Sequence, residues 1–234
     1  MSRITRLAAQ ALTVCTLITP GVTGAQARAT DSATTAFEVN GLRVIHRRVT
    51  ANEVVAANLY LLGGVSAVPA EKAGLELLLL EASERGTRKY PREALERKMA
   101  RLGSAIVASP SIDWTMVGVR STVTAFDSTF AIFADRIMQP RLDSGEVETV
   151  RATILSAVRQ RGDDPEALLN SFSDSVAFAG HPYGTSPVGS EASLHALTVA
   201  DLRNWQKTQM ITSRMLLVVV GDIPRAKLEA MVRS

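Results

Sequence analysis

Few side chains in this sequence could bind a metal or take part in catalysis. The histidines are His46, His181 and His195, and no two have the i, i+4 spacing that places two metal ligands on one helix face. The single cysteine is Cys15. The sequence contains no Gly-x-Ser-x-Gly nucleophile elbow and no phosphate-binding glycine loop. A Ser/His/Asp triad stays open, because such a triad needs no local motif.

The most informative pattern lies in residues 74–87, which read Gly-Leu-Glu-Leu-Leu-Leu-Leu-Glu-Ala-Ser-Glu-Arg-Gly-Thr. On a helix, one apolar face is formed by Leu75, Leu78, Leu79 and Ala82. Leu77 and Leu80 add a second apolar strip, and Glu81 is the ionisable group beside them. A lone carboxylate is a poor zinc site, so we interpret Glu81 as a partly buried structural glutamate. We expect this strip to be covered by the chain's own core or by a partner.

The first 27 residues have the pattern of a secretory signal peptide. Arg3 and Arg6 precede an apolar run that ends before Pro20, and Ala25-Gln26-Ala27 is a small-residue cleavage pattern. The apolar run is too short for a permanent membrane anchor. We therefore predict an exported protein, periplasmic or extracellular, whose mature chain has no cysteine and no disulfide. Residues 28–36 are predicted to be a flexible start.

Composition argues against two further classes of protein. Aromatic residues make up 5% of the chain, too few for the stacking platforms of nucleic-acid binders. After the signal peptide, no run approaches the ~20 apolar residues of a membrane helix. We therefore expect neither nucleic-acid binding nor a membrane span. The charged residues 81–92 are interpreted as a solvated helix end and loop.

Strands and helices are interleaved along residues 37–234, which we predict to be one domain. The predicted strands cover 37–48 with a turn at Asn40-Gly41, 54–62, 104–108, 114–123 and 215–220. The predicted helices cover 71–84, a helix from Pro91 capped by Gly103, 126–137, 144–161, a helix starting at 163–165, and 198–208. Adjacent strand pairs among helices favour an α+β fold with a mixed or antiparallel sheet. The apolar strand 215–220 is expected to need cover on both faces.

Residues 74–87 resemble the signature of the M16 (insulinase/pitrilysin-like) zinc metallopeptidases, Gly-Leu-x-His-x-x-Glu-His followed by Gly-Thr. Other segments match the family in the right order: Asn40 to Ile45, Gly103 to Thr115, Asp163-Asp164-Pro165, His181 to Gly189 and Leu216 to Asp222. Together they cover most of residues 36–225. The resemblance implies the N-terminal domain of an M16-type α/β roll.

The resemblance fails at the positions that carry the chemistry. Leu77 stands in place of the first histidine, Leu80 in place of the catalytic glutamate and Glu81 in place of the second histidine. The family's third ligand is a glutamate on the long helix, where this chain has Ala157 next to Ser156. Leucine and alanine neither bind a metal nor transfer a proton. The resemblance therefore implies a protein that has lost the family's zinc and is catalytically inactive.

Two functions follow from the resemblance. The first is an exported, non-catalytic partner or peptide-binding subunit of an active M16 peptidase, with peptides held by strand addition at an edge strand made of Ala105, Ile106, Val107, Ala108 and Ser109. The second is a structural assembly subunit of the bc1-core type. A fragment of a longer M16 peptidase with a missing second domain, and a hydrolase with an unrecognised site, stay open. We expect the chain on its own to oligomerise or aggregate.

Overall fold

One six-stranded mixed sheet organises the described part of the chain, which is residues 34–234 of a computed structural model. The strands are β1 Thr34–Val39, β2 Leu42–Arg48, β3 Val54–Leu62, β4 Ala105–Pro110, β5 Trp114–Thr122 and β6 Met215–Gly221. Their spatial order is β1-β2-β6-β3-β5-β4. Only β2 and β6 pair in parallel, and the other neighbours are antiparallel. The predicted α+β class with a mixed sheet is confirmed.

The β1–β2 hairpin begins earlier than the sequence predicted. Asn40 and Gly41 both have positive φ angles (49° and 79°), as a two-residue hairpin turn requires. Thr34 pairs with Arg47, so residues 34–36 belong to β1 and not to the predicted flexible start. The prediction failed there because backbone pairing recruits these small residues, whereas their side chains give no apolar pattern. The predicted signal peptide lies outside the described residues.

Helices cover one face of this sheet. The longer ones are α1 Leu75–Ser83, α2 Arg92–Leu102, α3 Phe126–Met138, α4 Ser144–Gly162, α5 Pro165–Ala177, α7 Val199–Gln209 and α8 Arg225–Arg233. The six-residue α6, Glu191–Ala196, was not predicted because it is too short to show a helical period. Short 3₁₀ turns cover Gly64–Ala67, Ala70–Lys72, Pro182–Gly184 and Thr212–Arg214.

Capping residues set the helix ends as the sequence predicted in most cases. Thr198 and Asp201 form a reciprocal capping box at α7, and the Asp164 side chain accepts hydrogen bonds from the first turn of α5. Gly103 ends α2 with a φ angle of 59°. Helix α1 is shorter than predicted because Gly74, at a φ angle of 86°, separates it from the preceding 3₁₀ turn.

The hydrophobic core lies between the covered sheet face and the helices. Its fully buried side chains include Leu75, Leu78, Leu79, Phe126, Ile132, Leu202 and Leu217. Within the described residues strand β6 is covered on one face, since buried residues alternate with half-exposed or exposed ones, and cover of its second face stays a prediction. Helix α5 differs from its neighbours in having no buried residue. None of the helices in residues 34–234 is long and apolar enough to cross a membrane.

Leu217→Ala should lower the free energy of unfolding by about 2–5 kcal/mol, because it leaves a cavity under the central strand β6. Leu217 is 1% exposed. Val220→Ala, on the open face of the same strand and 39% exposed, is the matched control and should cost far less. Denaturant unfolding of both variants measures the difference. Equal losses would show that the two sheet faces are buried alike.

Candidate functional site

Helix α1 exposes one narrow strip, and it includes Leu77 and Glu81, two of the positions where the family resemblance implies a metal site. Leu77 and Glu81 are half-buried, Glu84 is exposed, and the three follow one another at the i, i+4, i+7 spacing of a single helix face. Nearly every other residue of α1 is buried. Of the two leucines, Leu80 is covered by the chain's own core and Leu77 packs partly against it, so cover of the remaining strip by a partner stays a prediction. Within residues 34–234 the strip is partly open to solvent.

Leu80 has the opposite environment and belongs to the hydrophobic core. It is 3% exposed and packs among the helices that cover the sheet. A catalytic base must reach both a water molecule and the substrate. The side chain at this position instead contributes to core packing, which favours a structural role for this part of the helix.

Glu81 places a carboxyl group on the open strip of α1. Partial burial raises the pKa of its carboxyl group, and the like charge of Glu84 adds to that increase. Arg136 and Arg85 act in the opposite direction. Arg136 is itself buried, donates to Glu84 at 2.8 Å and lies 3.4 Å from the Ser83 hydroxyl. This arginine holds the C-terminal end of α1 against α3.

The long helix α4 packs against α1 but offers no ligand there. Ala157 and its neighbour Ser156 are exposed, and Val158 is half-buried. Leu77, Leu80, Glu81 and Ala157 therefore do not fit a zinc ion, because only one of them carries a donor atom. Residues 34–234 also contain no other group of three or more His, Cys, Asp or Glu side chains that could hold a metal.

The three histidines lie on separate elements. His46 is buried in β2, and burial lowers the pKa of its imidazole. His181 is exposed, and its Nδ1 accepts the amide hydrogen of Tyr183 at 3.2 Å in the turn after α5. His195 is exposed near the end of α6, shortly before α7 begins.

A buried carboxylate that the sequence analysis missed lies next to the metal-site positions. Glu76 is 0% exposed, and its carboxylate accepts hydrogen bonds from the Thr115 hydroxyl and from Trp205 Nε1, the latter at 3.2 Å. Burial raises the pKa of Glu76, and these two hydrogen bonds and the charge of Arg214 oppose the increase. A charged residue inside an otherwise apolar helix run was the signal that could have indicated it. The network joins α1 to β5 and α7.

The predicted peptide-binding strand lies at the edge of the sheet. Strand β4 pairs with β5 alone, in a register that places Val107 opposite Gly118. The Ser111 amide donates to the Trp114 carbonyl at 3.0 Å. Because hydrogen-bonded pairs alternate along an antiparallel ladder, the backbone N–H and C=O groups of Ser109, Val107 and Ala105 also point toward β5. The backbone groups of Ile106 and Ala108 therefore point to the open edge. Pro110 follows them and has no N–H to donate.

A turn from a distant part of the chain is fixed near the end of the β4–β5 hairpin. The Tyr183 hydroxyl donates to Asp113 at 2.9 Å, and the rings of Phe178, His181 and Tyr183 contact one another. Asp113 thus joins the turn between β4 and β5 to the segment that follows α5. Trp114 is 40% exposed and packs edge-on against Tyr60 on the open sheet face.

Comparison with known proteins identifies the family. The model of the Insulinase family (Peptidase family M16) matches residues 43–190. The chain belongs to peptidase family M16, and the matched part corresponds to its N-terminal domain.

Similar proteins include a zinc protease, a subunit of a processing peptidase and a subunit of the cytochrome b-c1 complex. An uncharacterized zinc protease of Mycobacterium tuberculosis is 29% identical over 103 residues, 44% of this chain and 24% of that protein. The mitochondrial-processing peptidase subunit beta of Lentinula edodes is 23% identical over 189 residues, 81% of this chain and 41% of that protein. Subunit 1 of the mitochondrial cytochrome b-c1 complex of Caenorhabditis elegans is 24% identical over 148 residues, 63% of this chain and 31% of that protein. The chain thus matches less than half the length of each.

Solved structures share the fold. A peptidase M16 inactive domain from Pseudomonas fluorescens superposes with a TM-score of 0.81 at 17% identity, covering 86% of this chain and 49% of that one. The periplasmic protease PqqL from Escherichia coli gives a TM-score of 0.78 at 19% identity, covering 87% of this chain and 23% of that one.

The buried carboxyl of Glu76 should make stability depend on pH. Because its folded-state pKa is raised above 4.5, the protonated form favours the folded chain. That contribution is complete below the unfolded pKa and is lost as pH rises through the folded one. Relative to Glu76→Gln, the wild type should therefore lose unfolding free energy as the pH rises from below 4.5 into the neutral range. Urea unfolding across this range measures the difference, and a difference that stays constant with pH contradicts the assignment.

Proposed function

We propose that this chain is a non-catalytic M16 protein that serves as a partner or peptide-binding subunit of an active zinc metallopeptidase. One observation carries the proposal: the family's ligand and base positions hold Leu77, Leu80, Glu81 and Ala157, and Leu80 is part of the core. The loss of a ligand alone would weaken a metal site. A leucine packed in the core at the position of the catalytic base also leaves no space there for the water molecule.

The partner would be an active M16 subunit or a second domain of the same protein. One similar protein is named as a subunit of a processing peptidase, and another as an inactive M16 domain. These names support an arrangement in which an inactive unit pairs with an active one. Two separate exposed areas are available for such a unit to cover: Leu77 and Glu81 on α1, and the open sheet face around Trp114.

Export to the periplasm or cell exterior is the second part of the proposal. It rests on the signal-peptide pattern in residues 1–27 and on the absence of cysteine from residues 28–234. The similar fold of a protease described as periplasmic is consistent with this location.

A structural assembly subunit is the other candidate function. The similarity to subunit 1 of a cytochrome b-c1 complex favours it. A neighbouring gene that encodes an intact His-x-x-Glu-His protein would favour the peptidase partner, and peptide binding at β4 would do the same.

The purified protein should bind no stoichiometric zinc and cleave no peptide, because a single carboxylate replaces the family's three ligands. Metal analysis after dialysis and a peptide-cleavage assay with and without chelator measure this. Near one zinc ion per chain, or chelator-sensitive cleavage, would falsify the proposal.

An extended peptide should bind at β4 through the outward backbone groups of Ile106 and Ala108. Ala108→Pro removes one outward N–H without touching the β5 ladder, so the dissociation constant should rise at least tenfold. Ala108→Ser keeps the N–H and is the matched control. Fluorescence anisotropy with a labelled, lysine-flanked peptide of alternating valine and threonine measures the affinity. Equal binding by the proline variant places the peptide elsewhere.

A further inference from the structure

A cavity of about 480 Å³ lies next to the turn that follows the edge strand β4. Residues 66–70 form one wall of it, and residues from the segment 175–185 form the other. Its volume falls within the roughly 300–1,000 Å³ of pockets that bind small ligands. We call this cavity the strand-end pocket.

Both walls of the strand-end pocket are anchored to the β4–β5 hairpin. The Ser66 amide donates to the Ile112 carbonyl at the tip of the hairpin, at 2.9 Å. In the opposite wall, the Tyr183 hydroxyl donates to Asp113 of the same tip, also at 2.9 Å. The pocket therefore has a fixed position relative to the end of β4.

The chain itself ends the open edge of β4 at this point. After β3 the backbone crosses the hairpin tip, and the Gly63 amide donates to the Asp113 carbonyl on the β5 side at 2.8 Å. Two residues later, the Val65 amide donates to the Ser111 carbonyl on the β4 side at 3.0 Å. The crossing therefore runs toward the edge strand before residues 66–70 form the pocket wall. The carbonyl groups that would extend the row beyond Pro110 are thus bonded within the chain.

The lining of the pocket is uncharged and largely apolar. None of the lining residues is Asp, Glu, Lys or Arg, and Val68 and Phe178 are among them. The Ser66 and Ser175 hydroxyls donate to backbone carbonyl groups of their own segments, at 2.6 and 2.7 Å. His181 is the titratable group of the lining, and its Nδ1 already accepts a backbone amide hydrogen. An ionic ligand would lack a charged partner here, whereas an uncharged apolar side chain matches the lining.

We propose that the strand-end pocket takes one uncharged apolar side chain of the peptide that β4 binds. This inference rests on the proposed function, because the peptide reaches the pocket from the edge of β4. Past Pro110 the peptide has no ladder to follow. At about 3.3 Å per residue, its next two or three residues lie over the hairpin tip and residues 66–70.

The pocket gives the edge strand a preference among sequences. Pairing with the backbone of β4 supplies affinity for any extended segment, and a side-chain pocket supplies specificity. Successive side chains of an extended segment point to opposite sides, so one overhanging residue faces the pocket and its neighbours do not. Burial of a leucine-sized side chain at that position strengthens binding.

A leucine scan of the overhanging residues tests the pocket. The probes are labelled peptides with the same valine–threonine core, extended by three serines at one end or the other. Each serine is replaced in turn by leucine. With the full chain, leucine at one overhanging position should lower the dissociation constant about tenfold, and leucine at the adjacent positions should change it less than about twofold. Fluorescence anisotropy measures each dissociation constant.

Two variants fill the pocket, one from each wall. Ala70→Trp and Ala179→Trp each place an indole where the leucine would bind, so each should remove the gain. Both should bind the all-serine peptide as the wild type does, which also shows that they fold. Ala177→Trp is the matched control, because Ala177 is exposed and lies outside the lining, and it should keep the gain.

The outcomes separate this proposal from the proposed function. If Ala108→Pro weakens binding of the all-serine peptide but no leucine strengthens binding to the wild type, the pocket proposal alone is overturned. It is also overturned if the gain survives in both filled variants, or if the leucine peptide binds Ala108→Pro as tightly as the wild type. If no probe binds the wild type, peptide binding at β4 and the pocket proposal fail together.

Discussion

Burial of α1 against the sheet is the constraint on which the rest of the structure depends. This helix is apolar around most of its circumference, yet it carries Glu76 into the core. A buried carboxylate needs hydrogen-bond donors, and Thr115 of β5 and Trp205 of α7 supply them. These contacts fix the rotation of α1 about its axis. Its rotation decides which residues face outward, and those are Leu77, Glu81 and Glu84.

The same constraint explains why the metal-site positions have unequal environments. Leu77 and Glu81 are four residues apart and share the open strip, whereas Leu80 points into the core. Placing a carboxylate at Leu80 would therefore bury a charge without the donors that Glu76 has, at a cost of several kcal/mol. In this chain the helix is stabilised as a core element, and the groups for zinc chemistry are absent from it.

Much of the fold could be predicted because local signals and the tertiary structure agree. The Asn40-Gly41 turn, the Thr198 cap and the apolar period of α3 each depend on neighbouring residues only. The start of β1, the short α6 and the open face of β6 could not be predicted, because pairing and cover come from residues far along the chain. At the site, the resemblance to the family signature identified Leu77, Leu80 and Glu81, but their different burial depends on the packing of α1. Glu76 was missed because its donors lie 39 and 129 residues away.

The geometry of β4 reconciles a peptide-binding edge with protection against uncontrolled strand pairing. An open edge strand pairs readily with other chains unless its length or its residues prevent this. Here only Ile106 and Ala108 present both backbone groups outward, and Pro110 ends the donor row. The edge can therefore accept a short extended segment but offers little to a long one. In the proposed function, this limit would let β4 hold a peptide transiently.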